Sequence, residues 1–83
     1  MYNNRDICKL SDLKIGQVAI IVELCEENRE IKRHLLDMGL TRGTKVEIKK
    51  IAPMGDPITL FFRDYELSIC KKDLEKIKIK IIN

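Results

Sequence analysis

The sequence has no tryptophan, a single histidine and an aromatic fraction of 5%. It therefore lacks the stacking platforms used by single-strand nucleic-acid binders and the imidazole supply of most transition-metal centres. Long hydrophobic runs are also missing. The longest, Val18-Ala19-Ile20-Ile21-Val22, falls far short of the ~20 residues that a membrane-spanning helix requires. The opening Met1-Tyr2-Asn3-Asn4-Arg5-Asp6 shows no basic segment followed by an apolar one, which argues against a secretory leader and makes the cytoplasm the expected location. Cysteine is sparse and odd in number. Cys8, Cys25 and Cys70 form neither a C-x-x-C pair nor a histidine-linked zinc spacing, so free thiols are expected. No glycine-rich phosphate loop occurs, and no serine or cysteine has a recognisable base partner. The chain is read as a non-enzyme, with no catalytic, cofactor-binding or metal residue assigned.

What is present fits one small soluble domain over residues 1–83, with 45% hydrophobic and 35% charged residues and a net charge of +3. At this length a single modest core is available. Val18, Ile20, Val22 and Leu24 alternate along a first strand, with Ala19 and Ile21 implying some burial of its other face. Asn28 is placed to cap a helix carrying Ile31, Leu35 and Met38 on one face, and Gly39 to end it. A second strand holds Val46 and Ile48, and its pattern slips at Lys50-Ile51, where a bulge is expected. After the loop Ala52-Pro53-Met54-Gly55-Asp56-Pro57 comes a hairpin, Ile58 to Ile69, turning at Arg63-Asp64. A single helical turn over Lys71–Lys76 then leads to a last strand with Ile77, Ile79 and Ile81 inward. On that strand Lys78 and Lys80 are expected to guard an exposed edge. Ser11 is a further candidate cap. The expected core is Val18, Ile20, Val22, Leu35, Met38, Val46, Ile48, Leu60, Leu67, Ile69, Ile79 and Ile81. Short strands joined mainly by turns predict a mainly β fold with helical insertions: a small barrel of about five strands, one main helix and one or two single-turn helices.

Two chemical readings compete at the surface. His34 with Glu30 and Asp37 could present one nitrogen and two oxygens on a helix face, but one imidazole is a thin ligand set, and a solvated surface histidine explains it more simply. Lysines at 45, 49, 50, 71, 72, 76, 78 and 80 could form a basic stripe for nucleic acid. Glu47, Glu66, Asp73 and Glu75 interrupt it, and a solvated strand face accounts for the pattern.

The run His34-Leu35-Leu36-Asp37-Met38-Gly39-Leu40-Thr41-Arg42-Gly43-Thr44, with Ala52-Pro53-Met54-Gly55-Asp56-Pro57-Ile58 after it, resembles the FeoA family in residue type and spacing. Leu10-Ser11-Asp12-Leu13-Lys14-Ile15-Gly16 and Cys70-Lys71-Lys72-Asp73-Leu74 extend the likeness from about Leu10 to Ile82. The resemblance implies an SH3-like barrel and a cytosolic accessory role in bacterial ferrous iron transport, through binding and modulating FeoB, a membrane transporter with a cytosolic GTPase region. Transition-metal binding is a family-level association only. Weak self-association is compatible with the reading, and the alternative is a nucleic-acid-binding barrel of KOW type. The partner surface is expected at a barrel end formed jointly by the Pro53–Pro57 loop and the helix end Met38–Gly43, with Leu40 and Met54 as apolar contacts and Arg42 and Asp56 beside them.

Overall fold

Each strand of this protein pairs antiparallel to its neighbours, giving one sheet in the order β1-β6-β2-β3-β4-β5. The strands are β1 (Ile7–Lys9), β2 (Val18–Leu24), β3 (Lys45–Ile51), β4 (Ile58–Phe62), β5 (Tyr65–Ile69) and β6 (Ile77–Ile81), with helices α1 (Arg29–Asp37) and α2 (Lys71–Leu74) between them. The computed structural model describes residues 7–82; the Met1–Asp6 segment, read above as lacking a leader, lies outside them. Among the described residues the sheet is not closed, since β1 and β5 are its two ends.

α1 forms where its end signals are strongest. The Asn28 side chain accepts from the backbone N–H groups of Glu30 and Ile31 at 2.9 and 3.2 Å, which satisfies two donors that the helix leaves open. At the other end Gly39 has φ +101°, its N–H bonds the carbonyl of Leu36, and the N–H of Leu40 bonds that of Leu35. This pair of bonds closes the helix in a Schellman motif and turns Leu40 back into the core.

β2 departs from its expected face. Ala19 and Ile21 are buried, whereas Val18, Ile20 and Val22 are only half-buried. The register with β6 then shifts between Ile21 and Glu23, so the inward set changes parity and Leu24 is buried as well. Aliphatic residues on both faces hid this reversal. The expected bulge of β3 is present between Ile48 and Lys50, and the β4–β5 hairpin turns through Arg63 and Asp64 at φ 51° and 67°, the signature of a type I′ turn.

Three further expectations are corrected. Ser11 lies inside a 3-10 turn, Leu10–Asp12, whose cap position is Lys9 and has no side-chain cap bond. The short strand β1 adds a sixth member, and by pairing with β6 it removes the edge that Lys78 and Lys80 were expected to guard. The core also differs in membership: Leu10, Leu13, Leu40, Ile58, Phe62 and Leu74 join it, Ile77 is buried as its inward position implied, and Met38, Leu67 and Ile81 only pack against it.

Candidate functional site

Strand β3 decides the geometry of the expected partner surface. The segment Met38–Gly43 precedes its start and the loop 52–57 follows its end. Six strand steps put the two segments roughly 20 Å apart, so they do not form one barrel end as expected.

The Met38–Gly43 segment is held by the β4–β5 turn. Arg63 Nε donates to the Gly39 carbonyl at 3.3 Å, and Arg63 Nη2 lies 3.2 Å from both Thr41 Oγ1 and Thr44 Oγ1. Thr44, 7% exposed, reaches the Gly39 carbonyl at 3.2 Å and Thr41 Oγ1 at 2.9 Å. Because each hydroxyl has one proton, Thr44 donates to Gly39 and Thr41 to Thr44, and both accept from Arg63. Tyr65 Oη adds a 2.8 Å bond to the Met38 carbonyl. A guanidinium and a phenol from the hairpin thus satisfy carbonyls at the C-terminal, negative end of α1. Gly39 has a second reason to be glycine, since a Cβ there would lie 3.2 Å from Arg63 Cδ.

The four residues expected to meet a partner consequently separate. Leu40 is 0% exposed and belongs to the core, so it is not a contact; the Schellman bonds that draw it inward are the cause. Arg42 is exposed and lines a cleft of about 370 Å³ with Val22, Glu23, Leu24, Lys32 and Leu36. Leu36, 39% exposed, gives this cleft an apolar lining that the sequence did not single out. A leucine off the main helix face, with an arginine shortly after the helix, was the available signal. Met54 is 93% exposed at the far end of β3. Asp56 is exposed but engaged, its Oδ1 accepting the Lys71 N–H at 2.8 Å and so tying the loop to the start of α2.

Metal and nucleic-acid readings gain nothing from the arrangement. No group of three or more His, Cys, Asp or Glu that could hold a metal ion occurs among the described residues; His34 is exposed on α1. The lysines do not make one stripe: those of β3 and β6 are separated by β2, Lys78 lies opposite Glu23, and Lys49 sits 3.6 Å from Glu47 and 5.0 Å from the centre of the Phe61 ring. Cys8, Cys25 and Cys70 are free. Burial, with Asp12 nearby, pushes the Cys8 thiol up. Burial and the bond to Glu23 do the same for Cys25, whose Sγ lies 3.4 Å from Glu23 Oε2, against a smaller opposing pull from Lys78 and Lys32. Neither is tuned as a nucleophile. No helix among the described residues is long and apolar enough to cross a membrane.

Comparison with known proteins places these features in a family. A Porphyromonas gingivalis Fe(2+) transport protein A/Fe(2+) transporter FeoB fusion protein is 31% identical over 75 residues, which cover 90% of this chain and 9% of that protein. The chain thus spans about a tenth of that relative's length. The NMR structure of a FeoA-like protein from Clostridium acetobutylicum is 32% identical, with a TM-score of 0.85 over 94% of this chain and 90% of that one. A zinc complex of FeoA from Stenotrophomonas maltophilia, described as a procaryotic SH3 domain protein, shares the fold at 20% identity, with a TM-score of 0.74 over 88% and 89% of the two chains. The FeoA domain family matches residues 8–81, and the chain belongs to that family.

Proposed function

We propose that this protein is a non-enzymatic, cytosolic accessory of ferrous iron transport that binds the cytosolic region of a FeoB-type transporter and modulates it. The observation that carries the proposal is the fusion relative, in which a segment similar to nearly all of this chain and a transporter are one polypeptide. Fusion replaces an encounter in solution by a tether, which raises the effective concentration of two parts that work together.

The cleft beside Arg42 is the contact surface we assign to that partner. It is concave, it offers Leu36 as an exposed apolar residue between α1 and β2, and Lys32 and Arg42 outnumber Glu23 at its rim. An apolar side chain of the partner flanked by a carboxylate suits it. Calorimetry with the isolated cytosolic region of the transporter tests both claims. Binding should be measurable for the original chain, and Leu36→Asp or Arg42→Glu should weaken it by about 1–3 kcal/mol without loss of fold. No binding by the original chain overturns the function; full binding by both variants overturns the surface.

A further inference from the structure

Strand β5 is an open edge beside an apolar cleft. It ends the sheet with β4 as its neighbour, and its five residues pair with β4 in unbroken register from Phe62↔Tyr65 to Ile58↔Ile69. The phase of that ladder fixes which backbone groups are committed. Phe62 and Tyr65 flank the two-residue turn and so exchange both hydrogen bonds, and hydrogen-bonded pairs then recur at Leu67 and Ile69. Glu66 and Ser68 turn their N–H and C=O groups away from β4, and among the described residues no backbone bond meets them there. The usual protections of an edge are absent. β1, the other end of the described sheet, has three residues, whereas β5 carries no proline, lysine or bulge. A cleft of about 290 Å³ lies between this edge and the helix, lined by Ile31, His34 and Met38 on one side and Leu67, Ser68 and Ile69 on the other. Ser68 Oγ is 3.0 Å from Thr59 Oγ1, on the face opposite Leu67, so it is through its backbone that Ser68 borders the cleft. The Tyr65 bond to the Met38 carbonyl holds the helix end against the start of the strand.

We infer that β5 takes an extended peptide segment of another protein as a further antiparallel strand. The free N–H and C=O groups of Glu66 and Ser68 supply its main-chain bonds, and the cleft receives alternate side chains. The register dictates the chemistry of that segment. Residues opposite Tyr65, Leu67 and Ile69 face the cleft and are apolar, whereas those opposite Glu66 and Ser68 face solvent and are polar. A lysine or arginine suits the position opposite Glu66, which is exposed and has no ion pair among the described residues. Other occupants fit less well. A helix in the cleft leaves the edge groups of Glu66 and Ser68 unpaired. A second copy joined through its own β5 brings no cation, since Tyr65-Glu66-Leu67-Ser68-Ile69 has none, and sets Glu66 against Ser68 or another Glu66. The cleft assigned to the transporter lies on the other flank of α1, at Lys32 and Leu36, so the two readings stand or fall separately.

A phage-displayed library of random peptides of about eight residues, panned on the full chain, tests the inference. Enriched sequences should alternate apolar and polar residues, with lysine or arginine at one polar position, and as labelled synthetic peptides should give saturable anisotropy titrations. Ser68→Pro removes an outward N–H without touching the β4 ladder. It should weaken binding at least about tenfold relative to Ser68→Ala, which keeps that N–H. Glu66→Lys should weaken the basic peptide about twofold to fivefold, and a peptide with glutamate in place of its cation should recover the loss. A circular-dichroism melt checks that each variant folds. N-methylation of the peptide leaves the protein unaltered and gives a second reading, since affinity should fall at alternate amides only. Failure to enrich any sequence, enriched sequences without alternation, equal binding by folded Ser68→Pro and Ser68→Ala, or N-methyl sensitivity without a period of two overturns the inference. So does a dimer of the free chain that Ser68→Pro dissociates, which would make a second copy the occupant.

Discussion

Arg63 and Asp64 illustrate how one residue can serve two masters. A type I′ turn suits Asn-Gly, because both central residues take positive φ, and here neither is glycine. The Arg63 side chain bonds the Gly39 carbonyl and both threonine hydroxyls, whereas that of Asp64 makes no hydrogen bond among the described residues. Asp64→Gly should therefore stabilise the protein by about 0.5–1 kcal/mol, whereas Arg63→Ala should cost about 1–2 kcal/mol through its lost bonds. Urea unfolding distinguishes the two, and equal effects of the same sign would contradict the division of roles. The thiols give a second prediction at this scale. Cys8 and Cys25 are both raised above the ordinary thiol value, chiefly by burial, so their thiolate fraction at neutral pH is reduced. Alkylation rates followed by mass spectrometry should rise with pH through a midpoint above the ~8.5 of a free cysteine. A midpoint below it for either residue would show that the lysines near Cys25, or an unseen cation near Cys8, dominate.

At the scale of elements, local signals were legible and non-local ones were not. Asn28, Gly39 and the Arg63-Asp64 turn act within a few residues of themselves and were found where the sequence placed them, while the bulge expected at Lys50-Ile51 lies slightly earlier, between Ile48 and Lys50. The inward face of β2 was misread because Val18, Ile20 and Val22 are as apolar as Ala19 and Ile21, and the bulge that changes parity depends on β6, more than fifty positions later. β1 was missed because three residues, Ile7-Cys8-Lys9, carry too little periodicity to stand out. Leu40 looked like a loop-end contact because the sequence shows a leucine after glycine but not the direction in which a Schellman turn aims it. The corrected core makes its own prediction. Ile21→Ala and Leu35→Ala, both 1% exposed, should each cost about 2–5 kcal/mol. Ile20→Ala on the half-buried face should cost less, and a midpoint shift for Ile20 equal to that for Ile21 would restore the original face assignment.

For the molecule as a whole, the decisive fact is that β3 separates the two surfaces that sequence reasoning had joined. Arg42 lies beyond its start, beside the cleft of Leu36 and Lys32, and Met54 beyond its end, roughly 20 Å away along the strand. Family-like residues had marked both segments, but much of that likeness has a structural cause: Gly39 closes a helix, Thr44 shares a part-buried polar knot, and Asp56 fastens a loop to α2. Adjacency in the folded state was the information the sequence lacked. If the cleft alone meets the transporter, substitutions at Arg42 and at Met54 should act independently, since sites more than 7–10 Å apart without shared partners usually add within about 0.5 kcal/mol. Arg42→Glu should weaken binding to the transporter's cytosolic region, measured by calorimetry, by about 1–3 kcal/mol. Met54→Asp should leave that binding little changed. The double variant should then bind as weakly as Arg42→Glu alone. A coupling in solution binding larger than about 1 kcal/mol would mean that both residues touch one partner, and a transporter domain long enough to span both ends of β3 would replace the single cleft.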